Sequence, residues 1–294
     1  PTSTDTQEPA MNWFDEGALY SQIAVFLRED MGRGDITTQS IITRNTRARA
    51  RFVAGETMIV AGLEAVEEVF LTLDSQQQLE AFVADGEQVE AGKVIARTIG
   101  FADVLITGER VALNLLQRLS GIATLTNQFV KAVAGTSAQI VDSRATTPGL
   151  RLLERYAVQL GGGSNSRFGL DDGVVVTANH VAVTGGISEA VRQAKEKLGY
   201  LHKISVEVTS EIELKEAIGA GADVVILEDF KPEDVARLVK LAKDLSEAAT
   251  VECSGSITLE NVREFAETGA SLIRIEALTS SAPARSISFK VQPY

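Results

Sequence analysis

The chain has 294 residues, 45% of them hydrophobic and 23% charged, with a formal net charge of -12. That suffices for a large core in one or two domains, and the acidic balance argues against nucleic acid or an anionic membrane as partner, because either needs a basic face that releases counterions. No apolar run reaches the roughly 20 residues that span a bilayer, the start lacks the basic and apolar regions of a signal peptide, and a cytoplasmic setting is expected. The single cysteine, Cys253, excludes an internal disulfide framework, and with only two histidines beside it an ordinary zinc site is not expected.

In chain order, Leu19, Ile23, Phe26 and Leu27 recur at helical spacing over 16–29, before the turn Gly32-Arg33-Gly34-Asp35. A mixed region follows: strands over 47–61, 78–83 and 94–99, with a helix over 63–73. Residues 84–96 are similar to the turn-rich strands of lipoyl and biotinyl carrier domains. Lys93 does not sit at an obvious hairpin tip, however, and such small folds are reused structurally, so a carrier function is the lesser reading. Residues 102–134 predict two helices broken near Gly121, carrying Glu109, Arg110 and Arg118 among apolar positions.

After residue 135 the pattern alternates. β-Branched runs at 138–141, 174–176, 204–208, 224–227, 250–252 and 272–275 are separated by helical stretches including 188–198, 212–220, 232–246 and 259–268. Near-continuous apolar strands between helices mean a parallel sheet covered by helices, and six such units predict a closed or nearly closed barrel. An open doubly wound sheet is the alternative, but no Gly-x-Gly-x-x-Gly opens a helix after a strand. Polar residues gather where strands end: Asp142 and Arg144, Thr177, Asn179 and His180, Glu207, Glu228 and Asp229, Ser254 and Ser256, Glu276 and Ser280. In barrels that rim carries the active site. The expected fold class is α/β: a parallel α/β barrel over 136–294, preceded by an amino-terminal α+β (hammerhead-like) domain over 1–135, to which the last residues are free to return.

Asp142-Ser143-Arg144, Glu154-Arg155-Tyr156, Gly161-Gly162-Gly163-Ser164-Asn165-Ser166-Arg167, Asn179-His180, Val206-Glu207-Val208, Glu252-Cys253-Ser254-Gly255 and Ala277-Leu278-Thr279 together resemble the quinolinate phosphoribosyltransferases, or carboxylating nicotinate-nucleotide pyrophosphorylases. The resemblance covers the chain from about residue 16. It implies a glycosyltransferase of NAD biosynthesis, which joins quinolinate to phosphoribosyl pyrophosphate with magnesium and releases pyrophosphate and carbon dioxide. It also implies a homodimer or larger homo-oligomer in which one subunit's amino-terminal domain caps its neighbour's barrel. By the same resemblance Arg144 and Arg167 grip the quinolinate carboxylates, Arg110 arrives from the partner, and Glu207 and Glu228 handle ribose hydroxyls or magnesium. Such charges suit the chemistry, since arginine forks bind carboxylates bidentately.

The same rim departs from the family pattern. Ala145 and Thr177 stand where lysines are expected, Ser166 where histidine is, Ser256 where glycine is, and Arg274, Glu276 and Ser280 in the run Ser-x-Gly-Ala-Leu-Thr-His. Three lost cationic donors remove roughly 4 to 9 kcal/mol of charged hydrogen bonding, and about 1.4 kcal/mol is tenfold in affinity. The expectation is therefore a rebuilt pocket, diverged or engineered, in which native transfer is lost or very weak. In it Glu276, partly buried, would act as a general base on a small organic substrate or pair with Arg144 or Arg274. That reading calls for no cofactor; surviving family activity calls for Mg2+, and the metal-site residues stay open. The alternatives are a functioning family enzyme and a noncatalytic barrel binding a small ligand. Ser166, Ser256 and Ser280 read as pocket-widening or hydrogen-bonding groups before nucleophiles, Cys253 as a small hydrophobe, and His180 as structural. His202 lies at the opposite rim and is given no chemistry.

Overall fold

A computed structural model describes residues 15–294. The first half of the chain forms α1 (Glu16–Met31), α2 (Ile36–Ile41), β1 (Arg47–Ala54), β2 (Met58–Ile59), α3 (Leu63–Leu73), β3 (Leu79–Ala81), β4 (Gln88–Val89), β5 (Val94–Phe101) and α4 (Ala102–Ala132). Then come β6 (Gln139–Val141), α5 (Arg151–Leu160), β7 (Val174–Val176), α6 (Ala178–Thr184), α7 (Ile187–Lys197), β8 (Ile204–Val208) and α8 (Glu211–Ala220). The chain ends with β9 (Val224–Glu228), α9 (Pro232–Leu245), β10 (Thr250–Ser254), α10 (Val262–Ala266), β11 (Leu272–Arg274), α11 (Ala277–Ser280) and β12 (Ile287–Pro293).

One unit runs up to Ser120 and takes in Ala284–Tyr294. Its antiparallel sheet has the order β12-β1-β5-β3, so the carboxyl-terminal strand returns to pair with β1. Along β1 the residues Ala48, Ala50, Phe52 and Ala54 are buried in strict alternation, the period of a strand with one face on a core. The Phe52 ring lies 4.8 Å from Phe289 and 6.3 Å from Phe70 of α3. Each buried ring contributes about 1.5 to 3 kcal/mol, and the cluster fixes the register of the returning strand.

Where the sequence predicts two helices broken near Gly121, α4 is continuous. Glycine inside a helix costs about 1 kcal/mol. The neighbouring Leu119, Ile122 and Ala123 are completely buried, and their transfer from water outweighs that cost. The division between units accordingly falls between Ser120 and Gly121, not at the expected 135.

The second unit, Gly121–Pro283, holds a six-stranded parallel sheet in the order β6-β11-β10-β9-β8-β7. The first strand thus pairs with the last, as in a barrel, while the seam lies between β6 and β7. An isolated bridge, Val141 to Ser164, spans part of that seam. In β8, Ile204, Val206 and Val208 are buried while Ser205 and Glu207 face a central cavity, reversing the aliphatic filling usual inside parallel barrels.

Candidate active site

The barrel encloses a cavity of about 820 Å³. Its walls begin at the amino ends of the strands, with Val174, Val224, Thr250, Leu272, His202 and Lys203. They end at the carboxyl rim with Arg144, Arg167, Glu207, Arg274 and Glu276. His202 and Lys203 therefore line the same space as the rim residues, a placement that their position before β8 did not suggest. Among the described residues, no group of three or more metal-ligating side chains is gathered.

Two arginines stand at the seam, and the local fold is built to hold them. Asp142, completely buried at the end of β6, accepts hydrogen bonds from the Ser166 amide at 2.6 Å and the Ser166 hydroxyl at 3.0 Å. Arg155 of α5 lies 3.5 Å from the same carboxylate, donates to the carbonyls of Ser166 and Arg167, and stacks on the Phe168 ring. Buried Glu154 accepts the Thr147 amide at 3.0 Å, tying down the loop after Arg144. Gly161 lets this segment approach α4 closely, since a Cβ there would lie 2.5 Å from the Ala123 carbonyl oxygen. Burial pushes the Asp142 carboxyl above its ordinary value despite the Ser166 and Arg155 contacts.

On that support Arg167 donates to the Gly173 carbonyl at 2.7 Å. Burial first, then the nearby Arg144 and Arg274 guanidiniums, hold its pKa below the usual arginine value. The exposed Arg144 guanidinium has no hydrogen bond or ion pair among the described residues. Like charges gathered in this way make a site for an anion. Arg110 lies exposed on α4 in the other unit.

The acids stand on β8, β9 and β10, with Glu207 and Glu252 lining the cavity and Glu228 outside its lining. Glu207 and Glu252 are each level with Ile226 across the sheet, so both carboxylates stand at one height in the barrel. Burial pushes Glu252 above the ordinary carboxylate value, with Arg274 opposing. Glu228, at the end of β9, is pushed up by burial and by Asp229 and Glu207, against a hydrogen bond from Ser254. Asp229 follows in left-handed backbone, φ 56°, and would be struck by a Cβ on Gly255.

The remaining rim positions separate. Ala145 and Thr177 line the cavity with apolar or neutral groups, Ala145 fixed through its carbonyl by Thr279 at 2.8 Å. Thr177 takes part in the cap of α6, its amide donating to His180 Nδ1 at 3.1 Å. Ser166 spends its hydroxyl proton on Asp142 and is no free nucleophile. Ser256 and Ser280 are exposed, and the Ser280 hydroxyl donates to the Glu276 carbonyl. Cys253 is completely buried, with its thiol pushed up to about 12, and is chemically a small hydrophobe.

Glu276 corrects an expectation. It is exposed at the cap of α11, not partly buried, and its carboxylate forms no ion pair among the described residues. The desolvation that would suit it to proton abstraction is missing. The partner of Arg274 is Glu252, at 2.5 Å. Arg155 and Glu154, which hold the loops, received no role from the sequence although they stand in its motifs; their helical spacing beside apolar Leu153, Ala157 and Val158 is the signal that they face inward.

Comparison with known proteins matches residues 35–120 to the amino-terminal domain of quinolinate phosphoribosyl transferase and residues 122–290 to its carboxyl-terminal domain. The chain is 43% identical over 266 residues to a probable carboxylating nicotinate-nucleotide pyrophosphorylase of Bacillus subtilis, covering 90% of this chain and 91% of that one. A Synechocystis protein described in the same words is 41% identical, over 88% and 85% of the two chains. The solved nicotinate-nucleotide pyrophosphorylase of Francisella tularensis superposes with a TM-score of 0.89 at 35% identity, over 95% and 98% of the two chains.

Proposed function

We propose, from the premise that this chain belongs to the quinolinate phosphoribosyltransferase family, that it is a working phosphoribosyltransferase forming nicotinate mononucleotide from quinolinate and phosphoribosyl pyrophosphate. The observation that carries the proposal is the pair Arg144 and Arg167 lining one cavity at the carboxyl ends of the barrel strands, together with Glu207. The rebuilt pocket has less behind it. Glu276 lacks the burial a raised base needs, and relatives matched over nine-tenths of the chain carry the enzyme's name.

In the proposed reaction the guanidiniums hold the two carboxylates of quinolinate and orient the ring nitrogen toward the anomeric carbon. The nitrogen lone pair forms the new bond to that carbon, the bond to the diphosphate oxygen breaks, and pyrophosphate leaves with the electron pair. The bond from the ring to the adjacent carboxylate then breaks, carbon dioxide leaves, and the ring carbon takes a proton. Glu207 and Glu228 accept hydrogen bonds from the ribose hydroxyls. Mg2+ with a diphosphate needs only one or two protein carboxylates, and the mutually repelling Glu207 and Glu228 fit that share. When bound, it would neutralise charge on the leaving pyrophosphate. Arg110, exposed on α4, would complete the cavity of a second copy in a homodimer.

Ala145 and Thr177 leave the rim short of cations, so weak substrate binding is expected rather than none. Purified protein incubated with quinolinate, phosphoribosyl pyrophosphate and Mg2+ should form nicotinate mononucleotide and carbon dioxide in equal amounts, with a raised KM for the donor. Absence of product at saturating substrate would overturn the proposal.

A further inference from the structure

Arg274 stands out among the groups lining the cavity. It lies on β11, level with Val141 of β6, and so beside the strand end that carries Asp142 and the loop of Arg144. Its charge is felt by Arg167 and by Asp142. Three guanidiniums therefore converge from β6, from the loop after α5 and from β11.

Its one partner among the described residues is Glu252, with Nε 2.5 Å from Oε1 and side chains 15% and 9% exposed. As a purely structural pair this is poorly made. Neither the Arg274 Nε nor the Glu252 Oε1 has an aligned hydrogen bond, and an incompletely satisfied buried pair does not repay its desolvation. Glu252 engages the Nε side of the guanidinium. The terminal nitrogens have no hydrogen-bond partner among the described residues, in a cavity they share with Arg144 and Arg167.

We infer that Arg274 is the third cation of the ligand site and sets the charge of the molecule the cavity takes, favouring ligands with two or more anionic groups over those with one. Glu252 is its positioning residue, which keeps the guanidinium neutralised and parked until such a ligand arrives. The inference rests on the cavity being the site of an anionic aromatic substrate, as proposed above. An arginine fork serves this purpose better than a lysine, because it engages a carboxylate through two parallel donors.

The test is calorimetric titration of the full-length protein with phthalate, an aromatic 1,2-dicarboxylate, and with benzoate, its monocarboxylate counterpart. Arg274→Met should weaken phthalate binding by about tenfold or more, the loss of one charged hydrogen-bonding group, while benzoate changes less than about twofold on the same scale. Arg274→Lys should keep the fold and recover part of the loss, and it carries the test if the methionine variant does not fold. Glu252→Gln should tighten phthalate binding, because a competing carboxylate is gone; a merely structural partner would lower stability without tightening. Unchanged phthalate affinity in Arg274→Met and Arg274→Lys overturns the inference, as does a wild-type protein that binds neither probe. Wild-type protein that binds phthalate in the predicted order yet makes no nucleotide overturns the proposed reaction and leaves the role of Arg274 standing.

Discussion

Two sets of loops at the barrel mouth are built differently. At the seam, Asp142, Glu154 and Arg155 are buried and tie 144–147 and 166–168 to strand and helix through charged hydrogen bonds. In the turns that follow β10 and β11, Ser256, Glu276 and Ser280 are exposed, and the hydroxyl of Ser280 bonds within its own turn. The difference separates two kinds of substitution. A change at the seam must satisfy buried polar groups, whereas a change in the exposed turns meets water and costs little. Ser166 illustrates the first kind, because it lines the pocket yet still completes the Asp142 network.

That contrast can be broken by removing Arg155. Arg155→Met leaves Asp142 buried without its nearest cation and frees the Ser166 and Arg167 carbonyls. A loss of about 3 kcal/mol in urea unfolding is expected, the lower end for breaking a buried pair. A loss below about 1 kcal/mol would mean that the seam is no more tightly determined than the exposed turns.

A smaller effect is expected from the pH dependence of the acid wall. Burial raises Glu252 above 4.5 in the folded protein. Below 4.5 both states hold the proton; as pH rises through the folded value, the unfolded chain has already released it and the folded protein is disfavoured. The contribution of this group to stability therefore falls with rising pH from 4.5 upward, and Asp142 and Glu228, also raised, act in the same direction. Glu252→Gln should lose less stability than wild type between about pH 4 and about pH 7. Parallel curves would show that Glu252 does not carry the shift.

The smallest effect belongs to the exposed turns. Glu276→Gln alters an exposed carboxylate without an ion pair among the described residues, so stability should move by no more than about 0.5 kcal/mol and turnover should hold. Abolished turnover with an intact fold would return Glu276 to the chemistry as a base and erase the distinction between the two sets of loops.

Much of this architecture was legible in the sequence. The six strand runs, their helices and the residues lining the rim follow from periodicity, and β7 and β8 match their predicted bounds. The uninterrupted α4 was not legible, because local propensity penalises Gly121 while the burial of Leu119 and Ile122 depends on what the helix meets. The return of the last residues to the amino-terminal domain was open from the sequence and is what the structure shows, but the strand β12 and its register on β1 were not legible, since that pairing spans most of the chain. Within the site, Arg144, Arg167 and Glu207 could be named from their motifs, and all three line the cavity. Glu276 was given a burial it lacks, because a position at the end of a strand does not reveal whether the next turn covers it.

The sequence by itself determined the family, the parallel α/β arrangement and the chemical character of the rim, because spacing and residue type are local properties that survive in any fold compatible with them. Only the tertiary structure decided which charges meet. Arg274 sits two residues before Glu276 in the chain, yet it pairs with Glu252 of the neighbouring strand, since parallel register and the inward face of the barrel bring those two together. It likewise decided that Arg155 holds the loop of Arg167 and that Arg144 is left without an ion pair among the described residues, distinctions set by burial and distance rather than by order along the chain.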